Sequence, residues 1–317
     1  MSIWRKQGGL IGKQGGNDYP SSGLWDVTET YTDANVPPAP IGEFQYTTLG
    51  AHTFTVPAYC NSVSVVCIGG GGGGLYYNNS SSTYTYRMNG GGGGGLVYVP
   101  AISVTPGQTI TVFVGGGGSS GQYASDSTVG GNSSFSSLSA TGGNPGRYNA
   151  TITGGAGLAP FVGGVIRVGG SSQGAGSQTY GPAGGGGAAG YTSNGGTGWN
   201  RASGQPTYSG DGGGGGGWST IDYESFGGGG VGIFGAGSNG TQGGPNTQAG
   251  GGSGGTNPTS NQVGGLYGGG GGGNSSISSG TGGDGGQGAV RVIWGAGRAY
   301  PSTNTAQSYS DGNVTIV

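Results

Sequence analysis

The sequence predicts an all-β protein with almost no α-helix: an antiparallel sheet carrying an inserted field of glycine-rich, polyproline-II-like segments. Three observations carry that expectation. Short stretches before residue 115 and near residue 290 alternate apolar and polar residues with a period of two, as half-buried strands do. Glycine, 89 of 317 residues, is gathered into runs such as Gly69–Gly74, Gly90–Gly95, Gly115–Gly118, Gly184–Gly187, Gly212–Gly217 and Gly268–Gly273. Only 14 prolines accompany them, too few and without the strict triplet of collagen. Glycine loses more backbone entropy on folding than any other residue, so such runs resist order unless something offsets that cost. Close approach of one backbone to another, possible only without a Cβ, is one such compensation. The alternatives for the runs are therefore a hydrogen-bonded bundle or plain disorder.

Taken in order, Met1–Ile41 has a composition of its own, with Trp4, Trp25 and Tyr31 set among Arg5, Lys6, Lys13, Asp26 and Glu29. Val36–Pro40 (VPPAP) is stiff and extended because proline fixes φ and biases its predecessor away from helix. It reads as a spacer, either between an attachment arm and a domain or within a coat of surface loop. From residue 42 the strands begin. Phe44–Tyr46 leads into His52–Val56, where Phe54 and Val56 face one way. Asn61–Ile68 puts Val63, Val65 and Cys67 on one face and Ser62 and Ser64 on the other. Leu96–Val99 follows the second six-glycine run. Ile102–Thr105, a Pro106-Gly107 turn and Thr109–Val114 predict a hairpin with Ile110, Val112 and Val114 inward. Ala289–Trp294 supplies one more strand, and the simplest topology lets it close the sheet opened at Phe44. Residues 42–295 then form the domain, 115–288 an insertion within it, and 296–317 a C-terminal tail. His52 is expected on the polar face of its strand.

Several function classes find no support. Formal net charge is −2 with 6% charged residues, which gives no footprint for nucleic acid or anionic membrane. No apolar run is long enough to span a bilayer, and none at the start resembles a signal peptide. Cys60 and Cys67, on an extended segment, would stand roughly 23 Å apart at about 3.3 Å per residue, far beyond disulfide reach. A single histidine leaves no partner for a His-based triad or a His-rich metal site. Asp222 and Glu224 lie two apart beside Trp218 and Tyr223, but hydrolytic carboxylate pairs flank the scissile bond from separate elements. Gly282–Gly288 is a loose cousin of calcium-binding nonapeptides, yet acidic residues do not recur along the field. No cofactor, metal or catalytic residue is therefore expected.

The order of Phe54-Thr-Val-Pro57, Val63–Gly70, Gly90–Val97, Val104-Thr-Pro-Gly-Gln-Thr109, Val112–Gly116 and the closing Gly282–Trp294 resembles the glycine-rich domain of tailed-phage tail-fibre and adhesin proteins. Trp294–Thr305 is also similar to the endings of structural proteins in tailed phages, particularly those of cyanobacteria. The resemblance implies a small β-sandwich bearing a bundle of polyglycine-II-type helices, with receptor-binding loops at the tip in some members. It implies a non-enzymatic virion protein, assembled in the host cytoplasm and displayed on the particle exterior. Trp4, Trp25 and Tyr31 would then serve attachment to other virion proteins. A homo-oligomer is expected, a trimer favoured.

The inserts between glycine runs are rich in tyrosine, tryptophan, serine and asparagine, the residues that supply contact area at low entropic cost in antibody paratopes. Tyr191, Trp199, Tyr208, Trp218, Tyr223 and Phe226 are the candidate contacts for a host-surface polysaccharide. The competing role for each ring is to cover the glycine bundle. A capsid decoration protein without receptor specificity is the alternative function, and a polysaccharide depolymerase a third.

Overall fold

The computed structural model describes residues 40–76, 89–122, 127–147, 152–172, 183–199, 210, 213–218, 225–244, 247–258, 262–274 and 281–302. Trp4, Trp25, Tyr31, Tyr208, Asp222, Tyr223 and Glu224 lie outside these residues. Within them the protein is all-β, with ten strands in two five-stranded antiparallel sheets and no helix.

The first sheet contains β1 (Gly42–Tyr46), β10 (Ala289–Trp294), β3 (Ser62–Ile68), β4 (Leu96–Ser103) and β9 (Val165–Arg167), in that order. The last long strand does close on the first, with Phe44 opposite Val292. The second sheet runs β2 (Gly50–Thr55), β5 (Thr109–Val114), β6 (Ser133–Phe135), β7 (Leu138–Ala140) and β8 (Gly157–Leu158). Between the sheets lies an apolar core of Val63, Val65, Cys67, Ile110, Val112, Val114 and their neighbours. Phe54 sits at its centre, 5.9 Å from Phe44 and 5.8 Å from both Phe135 and Trp294.

Two expectations are corrected. Residues 102–105 and 109–114 are not a hairpin: β4 pairs with β3 and β9, whereas β5 pairs with β2 and β6. Alternation and a Pro-Gly turn fit a corner between sheets as well as a hairpin. Hydrogen bonds decide between them, because Gly107 N–H donates to Val56 O and Val56 N–H to Gln108 O, tying the turn to the end of β2. His52 shares the parity of buried Phe54, so it is half-buried at the rim of the inner face, where its Nε2 donates to Thr48 O at 2.8 Å. The 115–288 insertion, moreover, completes the sandwich, since it supplies β6, β7, β8 and β9.

The outer face of the first sheet is covered too, which is why β3 is buried at every position from Val63 to Ile68. Val66, Ile68, Leu96, Tyr98, Ala289 and Ile293 pack there against Ala188, Ala189, Tyr191, Val231, Ile233 and Tyr300. On this face Glu43 is sealed between two arginines. Its Oε2 accepts from Arg291 at 2.6 Å and from Arg298, and Gln45 donates to its Oε1 at 2.6 Å. Tyr300 Oη donates to Ile233 O at 2.7 Å, and Tyr300 N–H to Ser64 Oγ at 3.0 Å. Residues 298–300 are thus stitched to the sheet past its last strand.

Candidate functional site: the far end of the glycine bundle

The glycine runs start where strands stop. β3 passes directly into Gly69–Gly74, and Gly90–Gly95 leads back into β4. A polyproline-II chain has three residues per turn and makes no hydrogen bonds within itself, so its amides and carbonyls point outward in three directions to neighbouring chains. Gly69–Gly74 shows that period. Gly69 and Gly72 donate to Gly95 and Gly92, Gly70 and Gly73 to Gly131 and Thr128, and Gly71 and Gly74 to Gly286 and Gly283, all at 2.8–3.1 Å. Its carbonyls accept in the same rhythm: Gly71 and Gly74 from Gly118 and Gly121, Gly70 and Gly73 from Gly143 and Gly146, and Gly72 from Gly271. Six neighbours therefore surround one chain, three antiparallel to it and three parallel. Of the described glycines in these runs, only Gly268 has a positive φ. What the runs require of glycine is close approach: a Cβ on any of Gly69–Gly74 would come within 3.0 Å of a neighbouring chain's backbone.

The same registers fix which end of the bundle each residue occupies. Leu75 and Tyr76 leave the sheets behind, and Asn89 lies beside them, since Leu75 N–H donates to Asn89 O. Gly121 and Asn274 pair in parallel with Leu75 and Tyr76. Asn89 Nδ2 donates to Arg147 O at 2.8 Å, and Ile152 and Ser172 exchange both backbone hydrogen bonds. Gly198 pairs in parallel with Ser172. Ser225 Oγ ties Ala183 O and Gly273 O together at the same level. Residues 76, 89, 122, 127, 147, 152, 172, 183, 218, 225, 274 and 281 consequently lie at this one end.

The candidate aromatics divide between the two ends. Tyr191 is at the sheet end, following the segment that runs through Gly187 and Ala188. It is 1% exposed, stacks on Tyr300 at 5.7 Å and donates from Oη to Gly232 O at 3.0 Å. A ring so enclosed offers no surface to a polysaccharide; Tyr191 is a packing residue, and burial raises its phenol pKa. Phe226 is at the far end but is buried, 7% exposed, as is Tyr76. Trp199 and Trp218 come together there. Their ring centroids are 4.1 Å apart with planes 5° from parallel, and both residues are partly exposed. The backbone clamps the pair, because Trp199 N–H donates to Gly217 O and Phe226 N–H to Trp218 O.

Nothing in the sequence announced that these two rings, nineteen positions apart, would meet. The pairing depends on the register of adjacent glycine segments, and a run of identical residues does not encode register. Nor did spacing reveal the Glu43–Arg291–Arg298 cluster, whose members come from opposite ends of the domain. Asp284 Oδ1 accepts Ser120 N–H at 2.7 Å, so a backbone amide occupies it. Among the described residues no group of three His, Cys, Asp or Glu side chains is placed to hold a metal ion, and no helix is long and apolar enough to cross a membrane.

No curated protein matches the sequence. The period-three backbone lattice, the sandwich that roots it and the closure of β10 on β1 accord with a family match that spans residues 47–295, and the chain belongs to that family, the glycine-rich domain.

Proposed function

We propose that the protein is a non-enzymatic component of a tailed-phage particle, a tail-fibre or adhesin subunit that contacts host-surface glycan through the far end of its glycine bundle. One observation carries the reading: the described segments ending at 76, 122, 147, 172, 218 and 274, and those beginning at 89, 127, 152, 183, 225 and 281, have these termini at that single end. A bundle whose interior admits no side chain must display its chemistry at its ends and flanks, and one end is taken by the sandwich. The far end holds the partly exposed Trp199–Trp218 pair. A low overall charge suits a neutral polysaccharide better than a phosphate-rich partner. The Met1–Ile41 arm would bind other virion proteins, and the subunits would assemble as a homo-oligomer, a trimer by preference, on the particle exterior.

Three measurements separate this reading from its rivals. An adhesin binds isolated host envelope in a pull-down and competes with the phage for adsorption. A decoration protein co-purifies with emptied heads and does neither. A depolymerase releases reducing ends from envelope polysaccharide. Binding to heads without binding to envelope would sink the adhesin reading.

A further inference from the structure

We infer that the Trp199–Trp218 stack is a subsite for the apolar face of an uncharged pyranose ring, and that it biases the far end toward neutral over anionic polysaccharide. This deepens the adhesin reading and rests on it. The pair stands apart from the other described rings at that end: Tyr76 and Phe226 are each 7% exposed, whereas Trp199 and Trp218 are partly exposed residues. It is also held in place before any ligand arrives. Trp199 receives Gly184 N–H on its carbonyl at 3.0 Å and gives its own N–H to Gly217 O at 2.9 Å, while Trp218 O accepts Phe226 N–H at 2.7 Å. Each indole has its neighbour against one face, 4.1 Å away. A ligand meeting such a platform orders no side chain, so less of the contact energy is lost to entropy.

The chemistry of the pair selects the ligand. An aromatic face carries the negative side of the ring quadrupole. It attracts the weakly positive C–H groups on the apolar face of a pyranose and repels carboxylate or sulfate. Cations also favour such a face, so a simple cation is the competing ligand. Gly243 matters by what it lacks, since a Cβ there would stand 2.8 Å from Trp218 N and 3.1 Å from its Cβ.

The test is a titration of tryptophan emission in the full chain with cellohexaose and galactohexaose, with an oligogalacturonate for anionic sugar and choline for a simple cation. We expect a saturable response to at least one neutral hexasaccharide and at least tenfold weaker binding of the other two probes. Trp199→Ala should weaken that response about thirtyfold. Trp199→Phe, which keeps a ring in the stack, should lose less and melt with the parent, so the inference stays testable if the alanine variant is unstable. Preference for oligogalacturonate or choline, no response to either neutral sugar, or unaltered binding in both variants would overturn it. Adsorption to host envelope separates the two levels. If the Trp199 variants keep the parent's sugar response while the parent adsorbs to envelope, the subsite falls and the adhesin reading stands. If the neutral sugar binds the pair but the parent ignores envelope, the adhesin reading falls alone.

Discussion

Two glycine-to-alanine substitutions on adjacent chains of the bundle separate backbone contact from conformational freedom. At Gly72 an added Cβ meets the Asn144 carbonyl, inside any distance a real Cβ adopts. Gly72 N–H donates to Gly92 O and its carbonyl accepts from Gly271, both at 2.9 Å, so it cannot yield without straining two hydrogen bonds. Overpacking costs about 1–3 kcal/mol and two weakened hydrogen bonds about 1 kcal/mol each. The lower entropy of the unfolded alanine chain returns about 0.4–1 kcal/mol. Gly72→Ala should therefore destabilise by about 2–4 kcal/mol. Gly116 also lies in a run, but its Cβ would meet nothing closer than a Leu49 methyl at 3.8 Å, and its φ is not positive. Gly116→Ala should be neutral or stabilise by up to about 1 kcal/mol. Calorimetric melting reads the difference, at about 2–4 °C per kcal/mol for a domain of this size. Equal shifts for the two variants would mean that glycine serves flexibility here, and the packed lattice would be wrong.

Other consequences are open to the same kind of measurement. Glu43→Gln leaves two buried guanidiniums without a counter-charge and should cost about 3–5 kcal/mol in chemical denaturation; a loss under 1 kcal/mol would show the cluster to be solvated. Burial alone would raise the Glu43 pKa, but hydrogen bonds from Arg291, Arg298 and Gln45 outweigh it and hold the carboxyl below its ordinary value. Its contribution is then complete above the ordinary carboxylate range and fades as pH falls through the depressed value, so parent and Glu43→Gln should converge on acidification. Cys60 and Cys67 are free, fully buried thiols whose pKa values burial raises. A thiol reagent at pH 8 should label neither in the native protein and both in denaturant; rapid native labelling would contradict the core. A chain beginning at Gly42 should melt as the full chain does, and its unfolding would remove the basis for assigning Met1–Ile41 to attachment.

The long strands were legible because alternation survives in them. Phe54 and Val56, Val63, Val65 and Cys67, and Ile110, Val112 and Val114 all point inward as their period implies. The short strands β6 to β9 were not, because two or three residues such as Ser133–Phe135 cannot display a period. The Pro106-Gly107 turn is legible but its partner strand is not, since a turn signal gives the reversal and not the sheet to which the chain returns. The bundle was legible as a possibility only. A glycine run states that a neighbour's backbone must be close without naming the neighbour, and the Gly69–Gly74 partners come from positions 92 to 286. For the same reason the aromatic inserts announced contact area, but not that Tyr191 would be sealed against Tyr300 while Trp199 met Trp218.

That loss of information follows from how the lattice is held. Bonds between main chains are the same at every step of three, so the interior of the bundle gives sequence no means to choose among registers. Register must come from the ends. At the sheet end it is set by strands whose side chains do discriminate: Ile68 opposite Leu96 fixes Gly69 on Gly95, and Ala289 opposite Ile68 sets the Gly283–Gly288 return. Leu75, Tyr76, Ile152 and Phe226, all buried, are the apolar side chains that can do so at the other end.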